Sequence, residues 1–397
     1  MPPTVRPAGD ENRPSPDGVP LPWEGTNRED EVVVPPFRAE HVGSLLRPRR
    51  LKDAARGRDE GTVPQAEYEA ILEEQIARAV RLQEEVGLEV ITDGEFGRTS
   101  WFGFFFERLE GFSLRPSRFT FTDHTGRRYE WPTSYTVERI RRIAPIAVDE
   151  YRRVARLTDR TVKANLPAPS ALHFFRGDGC RDPRVYPDLE EWWDDVVAVY
   201  RAEIADLAAA GCRYLQLDEV PLAMLCDPGI RDRLRAEGED PDALVDRYVT
   251  ITNRILADRP PGLTVAMHLC RGNFRSRWMA SGGYDPIAER VFGGLAVDAF
   301  FLEYDSERAG DFRPLRHVPE AVGVVLGLVT TKRPDLEDPD ELAARVEEAS
   351  RFVPLDRLAL SPQCGFASVA GGNPLTEDEE RAKLALVVDV AERIWGS

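Results

Sequence analysis

Long apolar runs are missing from this chain. In its 397 residues no stretch approaches the roughly 18 apolar residues that a membrane-crossing helix needs. The N-terminus lacks the basic start and apolar core of a secretory signal. Cysteine is sparse and odd in number, five in all (180, 212, 226, 270 and 364), which excludes a disulfide framework and fits a reducing compartment. Positive charge is in deficit. A net charge of -17 argues against partners that need a basic face, namely nucleic acid and anionic membrane surfaces. These absences lead to the expectation of a cytoplasmic protein that binds neither. What is present is an ordinary hydrophobic share, 42%, on a chain long enough for one large barrel or two smaller domains.

Residues 1–35 are rich in Pro, Gly, Asp and Glu and read as a flexible extension. Residues 36–397 then alternate short apolar runs with amphipathic stretches. Strands are expected at Phe37–Pro48, Leu88–Glu95, Thr161–Leu166, Cys212–Glu219, Leu263–His268, Ala296–Glu303, Ala321–Val329 and Leu358–Cys364. Helices are expected over 64–86, 188–210 and 240–258, and from Thr376 to Trp395. Asp188 with Glu191, and Thr376 with Glu379, carry capping-box spacing. Residues 100–150 are aromatic and basic without a clean period and read as an insertion after the second strand. Eight strands alternating with helices predict an α/β fold, a TIM (β/α)8 barrel. A doubly wound sheet is disfavoured, since no Gly-rich nucleotide loop follows the first strand.

A barrel keeps its chemistry at the C-terminal ends of its strands. Those ends carry Ser44, Glu95, Asn165, Asp218, Glu219, His268, Cys270, Glu303 and Cys364. His268 and Cys270 stand two apart on extended chain, so their side chains share a side. Imidazole with thiolate suits zinc, and Glu303 and Cys364 complete a set of one nitrogen, one oxygen and two sulfurs. Structural zinc sites favour closely spaced cysteine pairs, whereas these ligands come from three separate strands. Two thiolates and a carboxylate against Zn²⁺ leave an electron-rich ion, poor at activating water but able to hold a thiol as thiolate. Alkyl transfer to sulfur is the matching chemistry. Glu95 and Asp218 are candidates for a ligand ammonium, with rim ion pairs to Arg98, Arg47 or Arg213 as the bland alternative. Gly43 and Ser44 are candidates for a carboxylate. Trp101–Phe106 could roof a planar substrate or be core. His41 could line the pocket or pack, and His124, His173 and His317 have no partner motif.

Taken together, His41-Val-Gly-Ser44, Ile91-Thr-Asp-Gly-Glu95, Leu215-Gln-Leu-Asp218-Glu219, His268-Leu-Cys270, Phe301-Leu-Glu303 and Pro362-Gln-Cys364-Gly365 resemble the catalytic barrel of the cobalamin-independent methionine synthase family. The likeness runs from about residue 36 to the end and fits a short, single-barrel branch. It implies a 5-methyltetrahydropteroyltriglutamate–homocysteine S-methyltransferase-like enzyme, with zinc at His268, Cys270, Glu303 and Cys364. It also implies homocysteine contacts from Ser44, Glu95 and Asp218, with Gly43 and Glu219 beside them. The methyl donor would be a methylated folate or methylcobalamin. The family's proton-handling histidine falls near Thr330-Thr331-Lys332, where Lys332 or a threonine would substitute. Two alternatives stay open: alkyl transfer or lyase chemistry on a different thiol, and a non-catalytic barrel that binds a metal or an amino acid.

Overall fold

Seven of the expected strands form, and their sequences explain why. They are β1 (Val90–Ile91), β2 (Thr161–Pro167), β3 (Tyr214–Glu219), β4 (Thr264–Leu269), β5 (Ala299–Glu303), β6 (Gly323–Val329) and β7 (Leu358–Pro362). Five are near-continuous apolar runs, the signature of a parallel strand covered on both faces, while β2 and β3 alternate apolar residues with the buried polar residues Lys163, Asn165, Gln216 and Asp218. All pair in parallel and in chain order, making one seven-stranded sheet. This computed structural model describes residues 36–122 and 128–396. The extension expected over 1–35 and His124 therefore lie outside the described residues.

The sheet curls. Val90 of β1 and Ala359 of β7 meet in one apolar cluster with Tyr214, Ala266, Phe301 and Val325 from the strands between. Phe37 and Val42 complete this interior. The expected first strand is reduced to a single parallel bridge, Ala39 with Leu360, beside β7. The reason lies in its composition. Arg38, Glu40 and His41 interrupt the apolar run, and their side chains find specific partners. Glu40 enters the barrel interior, where it accepts a hydrogen bond from Tyr214 (2.9 Å) and pairs with Lys163 (3.3 Å). Lys163 also donates to the His41 carbonyl and sits over the Phe301 ring.

Helices cover the outside where the 3.6-residue period placed them: Gln65–Glu85, Leu189–Ala209, Pro241–Leu256 and Glu377–Trp395. The capping box at Thr376 and Glu379 is formed. The one expected at Asp188 is not: Asp188 accepts from the Glu190 N–H, and Glu191 turns to Arg139 at 3.1 Å. The insertion is an antiparallel hairpin of Leu109–Pro116 with Pro132–Arg142. No helix among the described residues is long and apolar enough to cross a membrane.

The last helix is tied to the barrel by an unusual group. Glu380 is buried and accepts a hydrogen bond from the Leu46 N–H at 2.7 Å. Burial pushes its carboxyl up to about 8. The folded chain thus holds this proton to about pH 8, whereas an exposed glutamate releases it near 4.5. Stability from this group is full at low pH and is lost as pH rises across that window. Glu380→Gln keeps an acceptor for Leu46 and removes the titration. The variant should match the parent at pH 5 and exceed it by on the order of 3 kcal/mol at pH 8.5. Urea unfolding at the two pH values checks this, and equal pH slopes for both proteins would refute it.

Candidate metal centre and substrate cavity

Strand register builds the site. β3 and β4 pair with Asp218 opposite His268, so an acid and an imidazole emerge side by side at one end of the sheet. The Cys270 N–H extends this ladder to the Glu219 carbonyl at 2.7 Å. Beyond β7, the Gln363 N–H bonds the Val329 carbonyl, which sets Cys364 across the barrel mouth from β4. The Cys270 and Cys364 sulfurs come to 3.4 Å of each other. Ligand atoms of His268, Cys270 and Cys364 all lie within 4.8 Å of one another, and all three residues are buried.

The donor set fits a borderline-soft divalent ion. Neither ring nitrogen of the buried His268 has a hydrogen-bond partner, a costly arrangement unless the nitrogens are ligands. Cys364 is the sulfur that ionises first. The Cys270 thiol and then His268 hold it well below the ordinary thiol range, against burial. Cys270 is pushed up by the Cys364 sulfur and by burial. Burial alone would lower His268, but Cys364, Asp218 and Glu303 together raise it.

Glu303 lies at the end of β5 and is fully buried, but outside this three-atom group. Its Oε2 accepts the Arg271 N–H at 2.9 Å, and its Oε1 has no partner.

A cavity of about 570 Å³ opens on the cluster. Its walls include Ser44, Glu95 and Asp218 with His268, Cys270 and Cys364. Glu95 has φ +58°, a left-handed conformation unusual for a side-chain-bearing residue. Arg98, the expected rim partner, does form an ion pair with Glu95 at 3.5 Å, while its hydrogen bonds go to Glu150 (3.0 and 2.6 Å). Glu95 Oε2 is left without a partner. Burial raises its pKa to about 7, with Arg98 opposing and Asp218 adding. Asp218 is paired with neither Arg47 nor Arg213. It accepts from Gln216 (2.7 Å) and Asn165 (3.1 Å), both uncharged, so its own charge is uncompensated by them. Gly43, at φ +140°, lets the chain pass so close to Asn165 that a Cβ would stand 2.7 Å from its amide nitrogen. Ser44 Oγ accepts the Ala367 N–H at 3.3 Å.

Four candidates do not line the cavity: Gly43 and Glu303, and also Glu219 and Lys332. Glu219 follows Asp218 and so points the other way; it accepts from Ser170 Oγ (2.5 Å) and the Leu222 N–H (2.9 Å), caps the following turn and is spent structurally. Lys332 bonds Asp305 at 2.8 Å and is not among the cavity walls, so it is not placed as a substitute for the family histidine. Of the aromatic segment, Trp101, Phe102 and Phe106 line the cavity with Trp131 and Phe175. Phe104 and Phe105 are core instead, the latter stacked on Tyr200. His41 is packed: its Nε2 meets the Val90 carbonyl at 3.2 Å, and burial lowers it to about 3. Arg271 and Asn273, which follow the His-x-Cys motif, carry no ligand signal of their own. Asn273 lines the cavity and donates to the Gly365 carbonyl at 3.0 Å. Trp131 and Phe175 carried no signal, since neither lies in a periodic segment.

A curled parallel sheet with His/Cys/Cys at its C-terminal mouth defines a barrel with a metal-capable centre. Residues 37–393 match the family described as Cobalamin-independent synthase, catalytic domain, and the chain belongs to that enzyme family. It is similar to the uncharacterized Bacillus subtilis protein YxjH, 41% identical over 91% of this chain and 95% of that protein. It is also similar to a 5-methyltetrahydropteroyltriglutamate–homocysteine methyltransferase of Thermosynechococcus vestitus, 27% identical over 87% of this chain. The match spans 42% of that longer enzyme. Among solved structures, a Listeria monocytogenes protein provisionally described as a vitamin-B12-independent methionine synthase superposes with TM-score 0.72 at 34% identity, over 91% of this chain and 99% of that one. A B12-independent methionine synthase from Shewanella sp. W3-18-1, solved with selenomethionine, shares the fold at TM-score 0.67 and 17% identity, over 90% of this chain and 97% of that one.

Proposed function

We propose that the protein is a zinc-dependent methyltransferase that converts homocysteine to methionine. The observation that carries this reading is the buried convergence of His268, Cys270 and Cys364 in a cavity with two acids and a serine on its wall. Membership of a family of catalytic domains counts against a non-catalytic barrel. Zinc held by the three residues, with Glu303 as fourth ligand, would bind the incoming sulfur and lower its pKa, so that it presents as thiolate. The remaining work belongs to the chain. Asp218 and Glu95 hold the amino group of the amino acid, and Ser44 its carboxylate. These contacts set the sulfur in line with the donor methyl, so positioning supplies much of the rate. Trp101, Phe102, Phe106 and Trp131 offer flat faces that orient a planar donor and exclude water.

A methylated folate is the donor we favour, since relatives are named for it; the family's description as cobalamin-independent counts against methylcobalamin. One observation favours a second reading, an alkyl donor whose leaving group needs no proton from the protein: Lys332 is committed to Asp305 and takes no place at the cavity wall.

The test is metal content of the purified protein beside Cys270→Ser, with proton release followed on adding homocysteine. The expected result is about one zinc per chain, lost in the variant, with about one proton released. Zinc without a homocysteine response would move the assignment to another thiol. A folded protein that binds no zinc would end the thiol-activation reading.

A further inference from the structure

Arg271 lies between the metal motif and Glu303, and it is the largest charged side chain that the barrel buries completely. A guanidinium out of water is costly unless its donors and its charge are answered. Nε donates to the Gly282 carbonyl at 3.0 Å. Nη1 donates to Tyr284 Oη at 3.0 Å and to the Glu303 carbonyl at 3.2 Å. The same nitrogen stands 3.6 Å from Glu303 Oε2. The plane lies over the Tyr284 ring, 4.1 Å from its centroid. Tyr284 closes the loop, because its hydroxyl accepts the Glu303 N–H at 3.0 Å. Arg271 thus reaches Glu303 from three directions: by its own N–H, by its guanidinium, and through Tyr284.

Every one of these contacts falls on Oε2 or on the backbone of Glu303. Oε1 is left free, buried and unpartnered. Charge points the same way. Two cysteine sulfurs, a carboxylate and an incoming third sulfur would gather more negative charge than one divalent ion cancels. Arg271 is the nearest buried cation to Glu303; Arg308 follows at 4.0 Å.

We propose that Arg271 is a positioning residue for the metal: it occupies one oxygen of Glu303, reserves the other for the ion, and supplies the positive charge that lets an anionic ligand set persist in a buried site. This role rests on the zinc reading above but adds a residue that the ligand pattern does not contain. It also accounts for Glu303 lying just outside the His/Cys/Cys group while its free oxygen stays unbonded. Side chains that orient a metal ligand in this way contribute about 10–100-fold to metal affinity.

The experiment measures zinc affinity by chelator competition for the parent, Arg271→Lys, Arg271→Met and Tyr284→Phe. Visible spectra of the cobalt(II)-substituted proteins are recorded beside them. Arg271→Met should weaken zinc by about 10–100-fold and alter the cobalt bands as the carboxylate is lost. Arg271→Lys keeps the charge and should recover part of the affinity. Tyr284→Phe removes only a hydroxyl, so it carries the test if Arg271→Met fails to fold; it should weaken zinc several-fold. Parent-like affinity and cobalt spectra in both Arg271→Met and Tyr284→Phe would overturn the role of Arg271. Failure of the parent itself to take zinc would instead sink the zinc reading, so the two failures are distinguishable.

Discussion

Cys364→Ser should cut methyl transfer severely and weaken metal binding, the largest single effect expected in this protein. Cys364 is the sulfur whose pKa Cys270 and His268 hold below the ordinary thiol range, against burial. A serine hydroxyl does not ionise near neutral pH and is a poor ligand for a borderline-soft ion. A four-ligand zinc site in a folded protein is worth roughly 10–16 kcal/mol, so losing one thiolate removes about 3 kcal/mol, or about 100-fold in affinity. Turnover should fall by about 1,000-fold or more, because the remaining groups would bind homocysteine without presenting its sulfur as thiolate. Metal analysis and methionine formation read the two effects. Thermal unfolding in the presence of chelator serves as control, and should be nearly the same for variant and parent, since serine fits the volume. A Cys364→Ser protein with full transfer activity would exclude the proposed chemistry.

Asp218→Asn is the second large effect, and it acts on binding rather than on sulfur. The carboxylate accepts one hydrogen bond on each oxygen, from Gln216 and from Asn165. An asparagine there must turn an N–H₂ toward one of those two donors, and it removes the charge that would meet an ammonium. Hydrogen bonds to a charged group are worth about 1.5–3 kcal/mol, and a buried donor left facing a donor costs about as much again. The expectation is a loss of about 100-fold or more in kcat/KM for homocysteine, carried mostly by KM. A substrate analogue without the amino group separates charge from packing. 4-Mercaptobutyrate should bind parent and variant within a few-fold of each other, because it offers Asp218 nothing to hold. If the variant lost both ligands equally, Asp218 would be organising the loop rather than contacting the amine.

Both effects depend on residues that local pattern brought to notice but could not orient. His268 and Cys270 were legible because a two-residue spacing on extended chain puts side chains on one side, and the structure keeps them there. Asp218 and Glu219 show the limit. They are adjacent, both acidic, both at the end of the same strand, and alternation sends one into the cavity and the other under the next turn. No feature of the segment says which, since that depends on how β3 is set between β2 and β4. Lys332 fails for a related reason: its partner, Asp305, follows a different strand, and an ion pair across strand ends leaves no local trace. Arg271 carries no local signal, because it follows Cys270 and so falls outside the His-x-Cys pattern. Its meaning comes from Tyr284 and Glu303, which only the closed barrel brings near.

The sequence by itself determined the rhythm of the chain. Apolar runs, continuous or alternating, marked seven buried parallel strands, the 3.6-residue period marked the four long helices nearly to the residue, and the His-x-Cys with late Glu and Cys marked the barrel mouth. These are local properties, set by side-chain period and residue chemistry. Tertiary structure decided the rest. It reduced the first expected strand to a single bridge, because Glu40 is drawn inward to Lys163 and Tyr214. It turned Glu303 toward Arg271, and it selected Trp101, Phe102 and Phe106 for the cavity while committing Phe104 and Phe105 to the core. Each of these choices rests on partners distant in the chain, and curling of the sheet is what makes them neighbours.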